Sequence, residues 1–296
     1  MQSGLETLGL IGYGEVGRIF SRGLQDRFTQ VSAWDTKFAP GHGEPLVHAA
    51  THGIHAAESA QDLCQRAGLI FSAVTASNTL RVAQEVAPHI RPGTFFLDLN
   101  SASPGTKQEA ARLIEAAGAH YVEAGVMTSV PPYGIRVPML LGGPMADALA
   151  PVLVEMGMDA KPVAATVGVA SAIKMCRSVM IKGLEALVIE SYSTARAYGV
   201  EAHVLPTLAE TFPSIDWEQT GAYFFSRVVQ HGQRRAEEMR ESAHTVQEAG
   251  FAPTMARAIA DKQQWVADQA RDGAFAGIDK TAPWQAYADA LLKRRP

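Results

Sequence analysis

The sequence predicts an α/β domain over residues 1–165 followed by an all-helical domain over residues 166–296. Three observations support this prediction. Short apolar runs alternate with amphipathic segments up to about Ala165, the pattern of βα units that build a mostly parallel sheet. A stretch that is free of proline and compatible with one long helix follows, over residues 168–198. Beyond Ala202 the chain is rich in Ala, Gln, Glu and Arg at helical spacing and has few strand signals.

Short apolar runs predict the strands of the first domain, and amphipathic stretches predict the helices between them. The predicted strands cover residues 8–11, 31–34, 69–74, 94–97, 120–123, 139–141 and 161–164. The predicted helices cover residues 15–26, 78–89 and 104–117, and each closes near a Gly or Pro.

The composition excludes several classes of protein. Of the 296 residues, 47% are hydrophobic and 19% are charged, which suffices for two apolar cores. The net charge is -4 and the basic residues are scattered, so we expect no nucleic acid partner. A few polar residues lead straight into the first strand without a signal-peptide pattern, which predicts a cytoplasmic protein. The longest apolar candidate, residues 163–189, contains charged side chains, so we expect no membrane span.

The two cysteines, Cys64 and Cys176, lie far apart in the sequence. They have neither the spacing of metal ligands nor that of a disulfide framework, so we expect two reduced, buried thiols. No His, Cys and Asp cluster has ligand spacing either, and the sequence therefore predicts no metal site.

A glycine pattern follows the first predicted strand. The segment reads LGLIGYGEVG, with Gly12, Gly14 and Gly17 in GxGxxG spacing just before a helical stretch. Gly12 permits a tight turn, Gly14 the approach of a pyrophosphate, and Gly17 close packing of helix and strand. A glycine-rich turn of an unrelated βα unit is the alternative, but the context favours a Rossmann-type dinucleotide-binding domain. The expected cofactor contacts here are Gly12, Tyr13, Gly14, Glu15, Val16 and Gly17.

Asp35 ends the second predicted strand. A carboxylate at this spacing accepts hydrogen bonds from the adenosine ribose and repels a 2′-phosphate, which favours NAD as the cofactor. The neighbouring Thr36 and Lys37 could instead serve a 2′-phosphate, so NADP stays possible. Asp35 could also be a simple turn former.

Lys174 lies about one and a half turns into the long predicted helix, which is apolar nearly all round and which we expect to be buried. Arg177 and Ser178 share its face at i+3 and i+4. Burial and a neighbouring positive charge lower the pKa of a lysine, and such a lysine can exchange a proton with a reacting hydroxyl. The alternative is a lysine that pairs with a carboxylate or reaches water.

The order of motifs resembles the β-hydroxyacid dehydrogenases, which include 3-hydroxyisobutyrate and 6-phosphogluconate dehydrogenases. The resemblance spans nearly the whole chain and rests on LGLIGYGEVG, FSAVTASNTLRVAQEV, LDLNSASP, YVEAGVMTSVPPYGIRVPMLLGG and GVASAIKMCRS. It implies a catalytic role for Lys174 and substrate contacts in the fourth motif. The further cofactor contacts that it implies are Val74, Thr75, Asn100 and Ser101.

Two departures from the family pattern bear on the substrate. Relatives usually carry Ser-Gly-Gly where this sequence has Met127, Thr128 and Ser129, so binding of a substrate carboxylate is expected to differ. They also carry Asn where Ser178 stands, and a hydroxyl is a shorter substitute with a single donor. Arg177 could compensate by binding a carboxylate or phosphate, or could pair with a carboxylate of the protein.

In the second domain, His231 and Arg235 lie one turn apart on a predicted helix. Both could reach the active site of this subunit or of a partner subunit, and His231 is the candidate substrate contact. The alternative is that they belong to a solvated helix face. The segment Tyr223–Phe225 is more typical of helix packing than of a substrate wall. An apolar helical half suggests pairing with a second subunit, and we expect a homodimer.

The sequence thus favours an NAD(P)-dependent dehydrogenase that acts on a hydroxyl of a small hydroxy acid or on the corresponding carbonyl. An NADPH-dependent imine or ketone reductase is the nearest alternative, although the resemblance implies that such reductases usually lack the lysine. A nucleotide-binding protein without catalytic activity is the third.

Overall fold

The computed structural model describes residues 5–38 and 43–294. The chain divides into two compact units, Met1–Met175 and Cys176–Pro296. The predicted domain boundary at residues 165 and 166 lies just before the long helix and stays a prediction. Among the described residues, no helix is long and apolar enough to cross a membrane.

The described part of the first unit holds one sheet of eight strands. They are β1 (Thr7–Ile11), β2 (Gln30–Trp34), β3 (His55–Ala56), β4 (Leu69–Ser72), β5 (Phe95–Asp98), β6 (His120–Val126), β7 (Met139–Gly142) and β8 (Ala160–Ala164). Their order is β3-β2-β1-β4-β5-β6-β7-β8. All neighbours are parallel except β6 and β7, which confirms the predicted mostly parallel sheet.

Helices cover both faces of this sheet, as the two separate apolar clusters of the unit require. They are α1 (Glu15–Leu24), α2 (Gly43–Thr51), α3 (Ala60–Arg66), α4 (Thr79–Val86), α5 (Pro104–Ala116) and α6 (Ala146–Glu155). Because β1 and β4 are neighbours, the loops that follow them meet at the point where the strand order reverses. Open α/β sheets bind ligands at this place.

The second unit is helical, as predicted. The long helix α7 (Val169–Tyr198) runs into it from the first unit and is followed by α8 (Glu201–Thr211), α9 (Trp217–Glu248), α10 (Thr254–Arg271) and α11 (Trp284–Leu292). Its core includes Tyr192, Phe225, Trp284 and Tyr287. In the segment predicted to pack, Phe225 is buried, whereas the Tyr223 side chain is exposed.

The prediction that the long helix is buried is wrong for part of α7. The side chains of Ala186, Val188 and Ile189 are buried. Met180 and Leu187, which belong to the same helix, are 65% and 56% exposed. Helices of the described second unit therefore cover one side of this part of α7 only.

The two thiols differ in their surroundings. Both are free, but Cys64 is buried whereas Cys176 is exposed, so the prediction of two buried thiols is wrong for Cys176. Cys64 packs in the apolar cluster beneath the sheet, while Cys176 lies on an open side of α7. Burial raises the pKa of the Cys64 thiol to about 12.

We expect one thiol to react with Ellman's reagent in the native protein at pH 8. The thiolate is the reactive species, and Cys64 stays protonated and covered at this pH. Absorbance at 412 nm should therefore report one fast equivalent in the native state and two after unfolding. Cys176→Ser should remove the fast equivalent, and a fast reaction that survives this substitution would contradict the assignment.

Candidate cofactor and catalytic site

The glycine turn is built at the carboxyl end of β1, and two of its glycines are required by packing. Gly12 has a φ of 93°, and a Cβ there would lie 2.4 Å from the Ala73 main-chain oxygen. A Cβ at Gly17 would lie 2.1 Å from the Gly12 main-chain oxygen. Only glycine therefore lets the turn close against β4 and lets α1 pack on the turn.

Gly14 differs from the other two, because a Cβ there would meet nothing within 4 Å. It stands at the N-cap of α1, and no described side chain caps that helix end by a hydrogen bond. The open space beside Gly14 thus lies at the N-terminal end of α1, where unpaired helix N–H groups and the helix dipole favour an anion. The space and the donors fit a dinucleotide pyrophosphate.

Asp35 holds the turn from the neighbouring strand. Its Oδ2 accepts a hydrogen bond from the Tyr13 main-chain N–H at 2.6 Å, and its Oδ1 accepts one from that of Lys37 at 2.8 Å. Asp35 is thus a turn former, and each oxygen keeps a second lone pair that a ribose hydroxyl can use.

An open cleft of about 800 Å³ lies beside the glycine turn. The Arg18 guanidinium lies 5.6 Å from the centre of the Tyr13 ring and forms two hydrogen bonds to Glu44, of 2.8 and 2.6 Å. The Tyr13 hydroxyl lies 3.1 Å from His48 Nδ1. The lining residues that sequence analysis did not single out are Arg18, Ile19, Arg22, Gly23, Glu44, Pro45 and His48. Arg18 follows Gly17 directly, and this position next to the glycine motif could have identified it from the sequence as a residue of the cleft.

Asn100 ties together the loops that follow β4 and β5. Its Oδ1 accepts a hydrogen bond from the Val74 main-chain N–H at 2.7 Å, and its Nδ2 donates to Ser72 Oγ at 2.9 Å. Thr75, in the same loop as Val74, is exposed. Two predicted cofactor contacts, Asn100 and Val74, are therefore in direct contact.

Lys174 and Ser101 are also brought together. Lys174 is half-buried, and its Nζ donates a hydrogen bond of 2.6 Å to Ser101 Oγ. The start of α7 approaches β6 closely, since a Cβ on Gly125 would lie 2.9 Å from the Ala170 main-chain oxygen and 3.7 Å from Lys174 Cβ. The lysine expected to transfer a proton thus contacts the loop that holds the predicted cofactor contacts Asn100 and Ser101.

The predicted substrate segment follows β6. The main-chain N–H of Met127 donates to the Pro138 oxygen at 2.9 Å, which continues the antiparallel pairing of β6 and β7. Thr128 is exposed, and Met127 and Ser129 are half-buried. Pairing of the Met127 backbone with the Pro138 backbone thus holds the first residue of the predicted substrate segment in place.

In the second unit, the predicted substrate contacts have different surroundings. Arg177 is exposed, and Ser178 is buried and accepts a hydrogen bond of 3.1 Å from Lys182 Nζ. His231 is exposed, but Arg235 is only 3% exposed and binds the buried Glu185 carboxylate. The interpretation of Arg235 as part of a solvated helix face is therefore wrong.

Two buried carboxylates, Asp98 and Glu123, were missed by the sequence analysis. Their sequence neighbours are apolar strand residues, and nothing in their spacing indicates the donors that surround them. Within residues 5–38 and 43–294, no group of three or more His, Cys, Asp or Glu side chains could hold a metal ion.

Two family models match the chain. The NAD binding domain of 6-phosphogluconate dehydrogenase matches residues 7–168, which is more than half of the chain. A domain of unknown function, DUF1932, matches residues 195–266.

Solved structures share the fold over nearly the whole length. A conserved hypothetical protein from Sinorhizobium meliloti is 35% identical, with a TM-score of 0.78 over 99% of this chain and 98% of that one. A 3-hydroxyisobutyrate dehydrogenase from Mycobacterium tuberculosis is 18% identical, with a TM-score of 0.65 over 97% and 99% of the two chains. A reductive aminase from Aspergillus terreus is 18% identical, with a TM-score of 0.57 over 98% and 99%. The last two show the fold alone.

The matched segment coincides with the unit that holds the glycine turn, Asp35, Asn100 and Ser101. The family whose model matches residues 7–168 points to an NAD(P)-dependent oxidoreductase of the hydroxyacid dehydrogenase type. The chain belongs to the family of proteins that carry the NAD-binding domain of 6-phosphogluconate dehydrogenase.

Proposed function

We propose that this protein transfers hydride between NAD(P) and the hydroxyl-bearing carbon of a small β-hydroxy acid or related alcohol. The hydrogen bond of 2.6 Å between Lys174 Nζ and Ser101 Oγ supports this proposal most strongly. It joins Lys174, which the resemblance implies to be catalytic, to Ser101 in the loop that holds two of the implied cofactor contacts.

The residues of the glycine turn fit the cofactor. Gly14 leaves room for the pyrophosphate at the start of α1, and Asp35 offers acceptors for the adenosine ribose. Asn100 holds the loop of Val74 beside this place. The bound nicotinamide supplies the hydride acceptor or donor. The carboxylate of Asp35 repels a 2′-phosphate, so we propose NAD as the preferred form.

Lys174 would act as the general acid/base. Its Nζ accepts the hydroxyl proton when the alcohol becomes a carbonyl and returns that proton in the reverse direction. Ser101 orients the amine through the hydrogen bond, which keeps the nitrogen directed at one place. A lysine that exchanges a proton in this way requires no metal.

Substrate recognition is proposed for the segment after β6 and for α7. Met127, Thr128 and Ser129 would contact the body of the substrate, and Arg177 would bind its carboxylate. The hydroxyl of Ser178 accepts from Lys182 but keeps its own proton to donate. Ser178 is therefore proposed as a substrate contact, and His231, which is exposed on α9, is proposed as another.

A homodimer is part of the proposal. Met180, Leu187 and Trp265 expose large apolar side chains, 65%, 56% and 42% of their surfaces. Exposed apolar area of this kind favours association with a second copy. Light scattering coupled to size exclusion should give twice the chain mass at micromolar concentration, and a monomer alone would contradict the dimer.

The test of the reaction is absorbance at 340 nm. The purified full chain is incubated with NAD or NADP and with a panel of β-hydroxy acids that differ in size and substitution. Reduction of the cofactor by one of them is the expected result. Cyclic or aliphatic ketones with an amine and NADPH form the second panel, and consumption of NADPH there alone would favour an imine reductase. Binding of cofactor without turnover in either panel would contradict the proposed reaction.

A further inference from the structure

Asp98 on β5 and Glu123 on β6 are register partners in the sheet, and their residues are 1% and 0% exposed. Like charges that are paired on neighbouring strands repel each other, and a buried carboxylate requires its own hydrogen-bond donors. Apolar side chains would fill these places without such a cost. The donors that compensate each carboxylate therefore indicate what it does.

Asp98 organises the turn that leads to Ser101. Lys107 Nζ lies 2.9 Å from its Oδ1 and donates to its main-chain oxygen at 3.0 Å. The Tyr121 hydroxyl donates to Oδ2 at 2.6 Å. Burial and the nearby Asp98 carboxylate raise the pKa of Tyr121 well above its ordinary value, so the phenol keeps the proton that it donates. With the carboxylate fixed, Oδ1 accepts from the Asn100 main-chain N–H at 2.9 Å, one residue before Ser101.

Glu123 binds the first turn of α7. Its Oε1 accepts hydrogen bonds from the main-chain N–H groups of Gly168, at 2.6 Å, and Ala170, at 3.0 Å. Its Oε2 accepts from the Ser171 N–H at 3.3 Å and from the Ser171 hydroxyl. The carboxylate thus satisfies donors that a helix start leaves free and compensates the helix dipole. Lys174 follows Ser171 by less than one turn of the same helix.

We propose that Asp98 and Glu123 are positioning residues that together set the hydrogen bond between Ser101 and Lys174. This inference rests on the proposed function of Lys174. Ser101 and Lys174 are 73 positions apart in the chain, and the paired strands β5 and β6 form the frame that joins them. Asp98 fixes the loop on one side of this hydrogen bond, and Glu123 fixes the helix on the other.

The test uses substitutions that remove single contacts. Asp98→Asn would leave the buried Lys107 without its charge partner, which is strongly destabilising, so this variant is not used. Tyr121→Phe removes only the hydroxyl that orients Asp98, and Glu123→Gln and Ser171→Ala weaken the attachment of α7. The matched control is Glu109→Gln, which changes an exposed carboxylate paired with Arg112. Thermal unfolding establishes that each variant is folded.

The first readout requires no substrate. The full-length protein is labelled with N-hydroxysuccinimidyl acetate, and mass spectrometry compares Lys174 with the exposed Lys161. Release of Lys174 from its hydrogen bond should raise its labelling at least about twofold in Glu123→Gln and Tyr121→Phe, the lower end for loss of one hydrogen bond. Glu109→Gln should label as wild type does. Unchanged labelling of Lys174 in folded Glu123→Gln and Tyr121→Phe would overturn the proposal.

The second readout separates positioning from the reaction. Once a substrate is identified, the variants should lower kcat at least about tenfold, because a misplaced catalytic group slows the reaction, while the KM for the cofactor stays near that of wild type. A wild-type kcat in folded variants would overturn the positioning role. If the wild type turns over no hydroxy acid but the labelling of Lys174 still responds to the variants, the positioning stands and the proposed reaction fails.

Discussion

Lys174→Met will lower turnover at least about a hundredfold, the lower end for loss of a general acid/base. Methionine has a similar length and keeps the packing of the half-buried stem, but it can neither donate to Ser101 nor exchange a proton. Cofactor binding should stay near the wild-type level, because the glycine turn lies on other elements of the same unit. Initial rates at 340 nm and a separate NADH titration measure the two effects.

Lys161→Met is the matched control, since it removes an exposed lysine from β8 in the same unit. It should change neither turnover nor thermal unfolding. Near-normal turnover of Lys174→Met would remove this lysine from the mechanism.

Alanine substitutions at Gly14 and Gly17 should separate cofactor binding from stability. A Cβ at Gly17 would lie 2.1 Å from the Gly12 backbone oxygen, so Gly17→Ala should cost on the order of 1–3 kcal/mol of folding free energy. A Cβ at Gly14 meets no protein atom within 4 Å, so Gly14→Ala should unfold near the wild-type temperature. It should nevertheless weaken NADH binding at least about tenfold, or roughly 1.4 kcal/mol, because the methyl group occupies the approach of the pyrophosphate.

Thermal unfolding with and without NADH distinguishes the two variants. NADH should raise the unfolding temperature of the wild type and raise that of Gly14→Ala much less. Tight NADH binding by Gly14→Ala would place the pyrophosphate elsewhere on the protein.

Local patterns made much of the fold predictable. Short apolar runs place the seven predicted strands, and the observed strands end within three residues of the predicted ones. The GxGxxG spacing predicted the turn, since the chain can close there only with glycine at Gly12 and Gly17. The long helix was recognisable because residues 168–198 contain no helix breaker except isolated glycine.

Other elements lacked a local signal. Strand β3 has two residues and α3 has seven, which is too short for a periodic pattern. Helix α6 contains Pro151, a residue that ordinarily ends a helix. The exposure of Cys176 and Met180 depends on which side of α7 other helices cover, and hydropathy alone does not contain this information.

The sequence indicated individual residues of the candidate site, but it did not indicate which side chains contact one another. Lys174 and Asp35 stand out because their charge and position match a chemical task. The hydrogen-bond partners of Glu123 lie 45 to 48 positions after it in the sequence. The partners of Asp98 include Lys107 on α5 and Tyr121 on β6. The register of β5 and β6 places the two carboxylates side by side, and their partners come from α5, β6 and the start of α7.

A fluorescence titration of the full chain with NADH and, separately, with NADPH tests the central claim most directly, because it requires no knowledge of the substrate. We predict saturable binding of both and tighter binding of NADH, since the Asp35 carboxylate repels a 2′-phosphate. Asp35→Asn should narrow that difference. Tighter binding of NADPH would contradict the role of Asp35 and favour a reductase, and binding of neither would contradict the assignment of this protein as an NAD(P)-dependent oxidoreductase.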